Sequence, residues 1–230
     1  MPSDQPDPID TRHSAEHDRP VRSRSSTKTF ALAVLVGVVF GPLVLAGQVH
    51  TPYPFANLFN SPAIWAAVAF VFGLWAIGTY RSIVGAVVAM VIAVESYYLA
   101  DIVVRGANTS NLTSPTAILW ILLGIGAGVI FGAAGATVDY HRTTLRIVAK
   151  ALLPSVFASE AVHQVIEHFT NDPGAGRDDS LQFAGLLALF AVGSAALILS
   201  IDQRLERWKV IATTITITAV GTVAYSLLTT

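Results

Sequence analysis

Seven runs of apolar residues leave this chain few folds. Each is close to the roughly 20 residues an α-helix needs to cross about 30 Å of hydrocarbon. They span Phe30–Val49, Pro62–Tyr80, Ile83–Val104, Pro115–Val138, Leu145–Phe169, Leu181–Ile201 and Trp208–Leu228. Hydrocarbon offers backbone N–H and C=O groups no water, so a crossing segment is either a helix or a strand of a closed barrel. Barrel strands alternate apolar and polar residues over about ten positions, and these runs do not. The expectation is an all-α polytopic transmembrane bundle of seven helices over residues 29–230. A polar tail at 1–28 precedes it, with too little apolar surface to fold. Charged residues make up only 13% of the chain, about half the roughly 25% of a soluble domain.

Basic residues then set the orientation, because Lys and Arg collect on the cytoplasmic side. With the amino terminus inside, Arg12, Arg19, Arg22, Arg24, Lys28, Arg81, Arg142, Arg146, Lys150, Arg204, Arg207 and Lys209 all fall inside. Only Arg105 and Arg177 fall outside. Twelve against two predicts the amino terminus cytoplasmic and the carboxyl terminus outside. Lys150 lies about a turn into its helix, where its stem can snorkel to the interface. The first apolar run also reads as a signal peptide ending near Val44-Leu45-Ala46, although it is longer than a usual apolar core. Cleavage there would leave the orientation of the other six helices unchanged.

Against this apolar background, one stretch carries ionisable groups where hydrocarbon is expected. Within the fifth run, Glu160, His163, Gln164 and Glu167 fall on an arc of roughly 100° of a helix. Charge at membrane depth is costly and normally faces a bundle interior or a wet cavity. Glu95 and Glu160 each lie nine residues from the outer end of their helices, roughly 13 Å deep at 1.5 Å per residue. Tyr98 lies about 60° round from Glu95, as His163 does from Glu160. Glu167, His168 and an Asp101/Arg105 pair at i, i+4 stand nearer the outer surface. The expectation is an outward-opening polar vestibule reaching the Glu95–Glu160 level, with Glu95, Tyr98, Glu160, His163 and Glu167 as a ligand or proton site. The first outer loop, aromatic and Pro-rich from Thr51 to Ser61, would lie over it as a lid.

The middle of the chain also looks duplicated. Ser61-Pro62 with Trp65 opens the second run, and Ser114-Pro115 with Trp120 opens the fourth. Arg81 precedes Glu95 by the same interval as Arg146 precedes Glu160, as in transporters built from repeats. Leu58-Phe59-Asn60-Ser61-Pro62 with Trp65, the Gly-rich fourth run and Tyr97-Tyr98 resemble an uncharacterised family of short multi-pass membrane proteins from high-GC Gram-positive bacteria. The resemblance covers about residues 30–170, more weakly the remainder, and implies a bacterial plasma-membrane location without an assigned activity. This chain has Glu95-Ser96 before the tyrosine pair, where that family tends to carry Gly.

Several functions are disfavoured. A net charge of −1 gives no basic face for nucleic acid. There are no cysteines, so disulfides and thiolate metal sites are excluded. Neither a GxSxG elbow, a P-loop nor an HExxH pattern occurs. Three readings remain open for the polar cluster: a small permease or transport-associated protein coupled to a solute or proton, a non-enzymatic scaffold locked by an internal network, and a membrane-embedded metal enzyme. For the last, Glu160, His163 and Glu167 are the candidate ligands, with one ExxH where di-metal bundles use two. No cofactor is specified. The row Gly124/Gly128/Gly132 permits close helix approach, either inside the chain or between two copies.

Overall fold

A computed structural model describes residues 26–170, 177–201 and 207–229. These form α1 (Ser26–His50), the single turn α2 (Phe55–Leu58), α3 (Pro62–Trp75), α4 (Thr79–Arg105), α5 (Pro115–Thr137), α6 (Thr143–Thr170), α7 (Arg177–Ile201) and α8 (Arg207–Thr229). A 3₁₀ turn at Thr109–Thr113 joins α4 to α5. Among the described residues there is no strand, as expected. Ser26, Thr27 and Lys28, assigned above to the polar tail, already belong to α1; residues 1–25 lie outside the described residues. So do residues 171–176 between α6 and α7, 202–206 between α7 and α8, and residue 230.

Among the described residues four helices, where seven were expected, are long and apolar enough to cross a membrane: Ser26–His50, Thr79–Arg105, Pro115–Thr137 and Ser180–Ser200. The second apolar run departs from its expected bounds. Its helix stops at Trp75, Ala76 is extended with ψ 143°, and Gly78 turns the chain at φ 93°. Thr79 and Tyr80 belong to α4. An apolar side chain on Tyr80 disguised that break, because periodicity does not register a glycine at positive φ. Fourteen residues reach about 21 Å at 1.5 Å per residue, less than the hydrocarbon thickness.

Short as it is, α3 sits in the middle. Its sequence PAIWAAVAFVFGLW contains no polar side chain except the indole N–H, so it buries wherever neighbours meet it. One core joins Ala69 and Phe72 of α3 to Ala33 of α1 and Ala86, Ala89 and Met90 of α4. A second joins Ala63 to Phe157 and Ala161 of α6 and to Phe183 and Leu187 of α7. A third sets Phe70 against Ala134 of α5 and Ala149 of α6. α8 lies against α6 through Val210, Ile147 and Ala151.

Glycines bring the helices close. Backbone of Gly132 and Gly73 meet between α3 and α5, and a Cβ on Gly135 would collide with the Phe70 carbonyl. On α1, Gly37 and Gly41 abut α4, where a Cβ at Gly37 would stand 2.7 Å from the Ala89 carbonyl oxygen. Small residues substitute backbone contact for the hydrophobic drive that helices in lipid lack. Gly106 ends α4 in the left-handed conformation, and Ala107 and Gly106 donate to the carbonyls of Asp101 and Ile102, a glycine C-cap. The two ends of the bundle are named below by their turns, the Gly106 end and the Gly78 end.

Candidate functional site

The start of α3 is where the chain's polar and apolar logic collide. Pro62 at the first helical position lacks an N–H, which suits a helix start. The remaining N-terminal donors still need acceptors, and here no water-exposed surface supplies them. Ser61 is 1% exposed and Ala63 0%. Ile64 N–H is satisfied by the Ser61 carbonyl. Ala63 N–H donates 3.1 Å to Oε2 of Glu160, and the Ser61 hydroxyl donates 2.7 Å to the same oxygen. Glu160 itself is 2% exposed. A carboxylate from α6 therefore caps a helix 97 residues away in sequence, where a positive helix end favours negative charge.

His163, one turn on and 4% exposed, faces α8. Its Nδ1 lies 3.3 Å from Ser226 Oγ, and its Nε2 lies 3.4 Å from Glu167 Oε1. Glu167 is 41% exposed and half leaves the bundle; Gln164 is half-buried. His163 continues a row of hydroxyls. Ser155 donates to the Ala151 and Thr214 carbonyls, and Ser159 to those of Ser155 and Thr218. Thr222 donates to the Ser159 and Thr218 carbonyls. Since the partners rise together in number, α6 and α8 run parallel, stitched at every fourth residue. Thr214, Thr218, Thr222 and Ser226 were not among the expected site residues. Their spacing of four was visible in the sequence and marks one helical face.

Glu95 stands apart from this cluster. On α4, Ala89, Ala93, Ser96 and Tyr97 meet α1, whereas Val87 and Met90 meet α5. Glu95 lies roughly 100° from Ser96 and roughly 80° from Val87, on the flank of α4 between those two contacts and away from α3. It is half-buried. α6 packs on α3, α5, α7 and α8, and the hydrogen bonds of Glu160 come from α3. The expected meeting of the two carboxylates is thus replaced by a carboxylate on a helix start. Sequence repeats predict matching depth; they do not predict which flank of each helix is turned inward.

Tyr98 belongs to a different enclosure. Near the Gly106 end, α1, α3, α4 and α5 surround a cavity of about 250 Å³. Its aromatic walls are Trp65, Tyr97, Tyr98 and Trp120, and its polar groups are Gln48, Asn60, Asp101 and Thr116. Trp65 and Trp120, the paired tryptophans of the apparent repeat, have ring centroids 6.3 Å apart. Tyr97 and Tyr98 meet edge to face at 5.4 Å, and the Tyr97 hydroxyl donates to Gln48 Oε1 at 3.0 Å. Asp101, with its side chain 15% exposed, stands 3.3 Å from the Nε of Arg105, which is 56% exposed. Asp101 Oδ1 is buried and accepts no hydrogen bond. Asn60 and Trp65 line the cavity; Ser61 and Ala63, between them in sequence, hold Glu160. The loop before α3 does fold down against the bundle, with Phe59 seated on Gly47.

Other expectations resolve differently. Among the described residues no group of three or more His, Asp or Glu could hold a metal ion. Glu160, His163 and Glu167 share a helix face without converging, because Glu160 turns to α3 and His163 to α8. Gly124, Gly128 and Gly132 are buried against Met90, Val87 and Ala86 of α4. That row is occupied within the chain, so a second copy would have to use another surface. Lys150 is enclosed by the bundle, 3% exposed.

Residues 20–230 match the model of DUF6518, described as a family of unknown function. No curated protein and no solved structure matches the chain.

Proposed function

The chain belongs to the DUF6518 family, and we propose that it is a small permease-like protein of the bacterial plasma membrane. It crosses the bilayer seven times, with the Gly78 end cytoplasmic and the carboxyl terminus outside. A solute enters the cavity at the Gly106 end, and the Glu160 contact governs how α3 sits beneath it. The basic residues support this orientation, since twelve of fourteen fall on one side. The site's support is a single observation. The floor of the cavity is the start of a short, apolar helix, and that start is held by one buried carboxylate rather than by solvent. Transporters place solutes beside helix ends that lie at membrane depth. Protonating Glu160 would weaken the hold on Ala63 N–H and Ser61, and α3 could then shift relative to Trp120.

A second reading is favoured by the hydroxyl ladder between α6 and α8. Polar side chains also tie helices together without moving anything, and the Glu160 contact would then be one more tie. Glu160→Gln separates the two, since it keeps an acceptor oxygen and removes the titration. In a Trp75→Phe/Trp208→Phe background, Trp65 and Trp120 alone report on the cavity, and Asp101→Asn removes its other carboxylate. For the permease reading, fluorescence in nanodiscs titrates with pH, and Glu160→Gln abolishes that titration at unchanged melting temperature. Superimposable pH curves for the two proteins would leave only the tie.

A further inference from the structure

We infer that the cavity at the Gly106 end is a site for a small organic cation with an ammonium head. This inference rests on reading that cavity as the solute site and adds the chemical class. Four aromatic rings from three helices wall it: Trp65 of α3, Tyr97 and Tyr98 of α4, and Trp120 of α5. Aromatic faces are negative, and several of them around one volume are how proteins hold quaternary ammonium groups. The one formal charge lining the cavity is negative, that of Asp101. Its Oδ1, the atom 3.3 Å from Arg105 Nε, is withdrawn from solvent and accepts no hydrogen bond. Arg105, at the rim and mostly in solvent, is a weak competitor, because exposed ion pairs contribute little. An anion would meet the Asp101 carboxylate and the ring faces, and the nearby positive end of α3 is already taken by Glu160. A neutral apolar solute would offer the Asp101 carboxylate at the wall nothing to offset its partial burial. The volume of about 250 Å³ falls below the roughly 300–1,000 Å³ of drug-sized sites, which limits the ligand to a compact molecule.

The decisive comparison is choline against 3,3-dimethylbutan-1-ol, its neutral counterpart of the same shape, with binding to the full chain in nanodiscs measured by calorimetry. Choline and tetramethylammonium are expected to bind saturably, and the neutral alcohol at least tenfold more weakly. Asp101→Asn, which preserves shape at a partly exposed position, should weaken choline at least tenfold with an unchanged melting curve. Trp120→Leu should do the same, and Trp75→Phe, outside the cavity, should not. If the alcohol binds as well as choline and Trp120→Leu abolishes both, the cation assignment is wrong and the solute cavity stands. If no probe binds and the Glu160-dependent fluorescence titration is also absent, both readings fall. Choline binding that ignores Asp101→Asn and Trp120→Leu overturns the site.

Discussion

Removing the Glu160 carboxylate should loosen one helix end and leave the rest of the bundle intact. Glu160→Ala takes away the acceptor of two donors, Ala63 N–H and the Ser61 hydroxyl. If both were left orphaned in the interior, each would cost about 1–3 kcal/mol. Ser61, however, already has the extended backbone of an N-cap, φ −72° and ψ 123°, and its hydroxyl can turn to accept from the helix start. The net loss is then one hydrogen bond to a charged acceptor plus a small void, about 2–3 kcal/mol. At 1.4 kcal/mol per tenfold, that raises the open population of the α3 start by roughly thirty- to a hundredfold. Glu160→Gln keeps an acceptor and should cost less than about 1 kcal/mol. Hydrogen exchange by mass spectrometry in nanodiscs reads this directly in peptides covering 61–68. Protection there should fall steeply in the alanine variant and little in the glutamine variant, with α5 peptides unchanged. Equal protection of 61–68 in all three proteins would refute the capping argument. A uniform loss along the chain would show instead that Glu160 is a global packing residue.

Three further expectations follow from the same geometry. Gly135→Ala drives a methyl into the Phe70 carbonyl and should destabilise by about 1–3 kcal/mol through overpacking. Gly126→Ala meets open space and should be neutral or stabilising by up to about 1 kcal/mol through helix propensity; detergent-unfolding midpoints in the same order for both would overturn the close α3–α5 approach. Removing the hydroxyl of Thr222 by Thr222→Val takes out one rung of the α6–α8 ladder, worth about 0.6 kcal/mol in membrane bundles, and a drop above about 2 kcal/mol would mean the ladder is strongly cooperative. Because the chain has no cysteine, Ser110→Cys and His141→Cys give clean topology probes at opposite ends. An impermeant maleimide on intact cells should label the first and not the second, and the reverse pattern would invert the orientation.

The all-α character and several helix ends were legible because apolar runs and terminating glycines are local signals; the number of spans was not, since four helices and not seven are long and apolar enough among the described residues. Gly106 and Pro115 mark the end of α4 and the start of α5 to within a residue of the expected bounds, whereas α4 begins four residues before the expected Ile83. What escaped was relational. Ser61 and Glu160 are 99 residues apart, and nothing in either neighbourhood announces that a serine before a proline will give its hydroxyl to a distant carboxylate. Glu95 was misplaced for a related reason: depth follows from counting, but the inward flank of α4 depends on where α1 and α5 press their glycines. Asp101 was noticed only as half of an i, i+4 pair with Arg105. Its place in an aromatic enclosure emerges once Trp65 and Trp120 are set side by side.

The stitching of α6 to α8 carries an ambiguity and its remedy. Hydroxyls that recur every four residues match equally well after a slide of one step, about 6 Å at 1.5 Å per residue, so the rungs alone cannot choose an alignment. Gly221 makes the choice, lying so close to Ser159 that a Cβ would come within 2.5 Å of its Oγ. A slide of one step would bring Ile217 to that spot, and its branched side chain would press on Ser159 Oγ and Cβ. The missing side chain works like the notch of a key, and one absent methyl sets where the whole eighth helix stops.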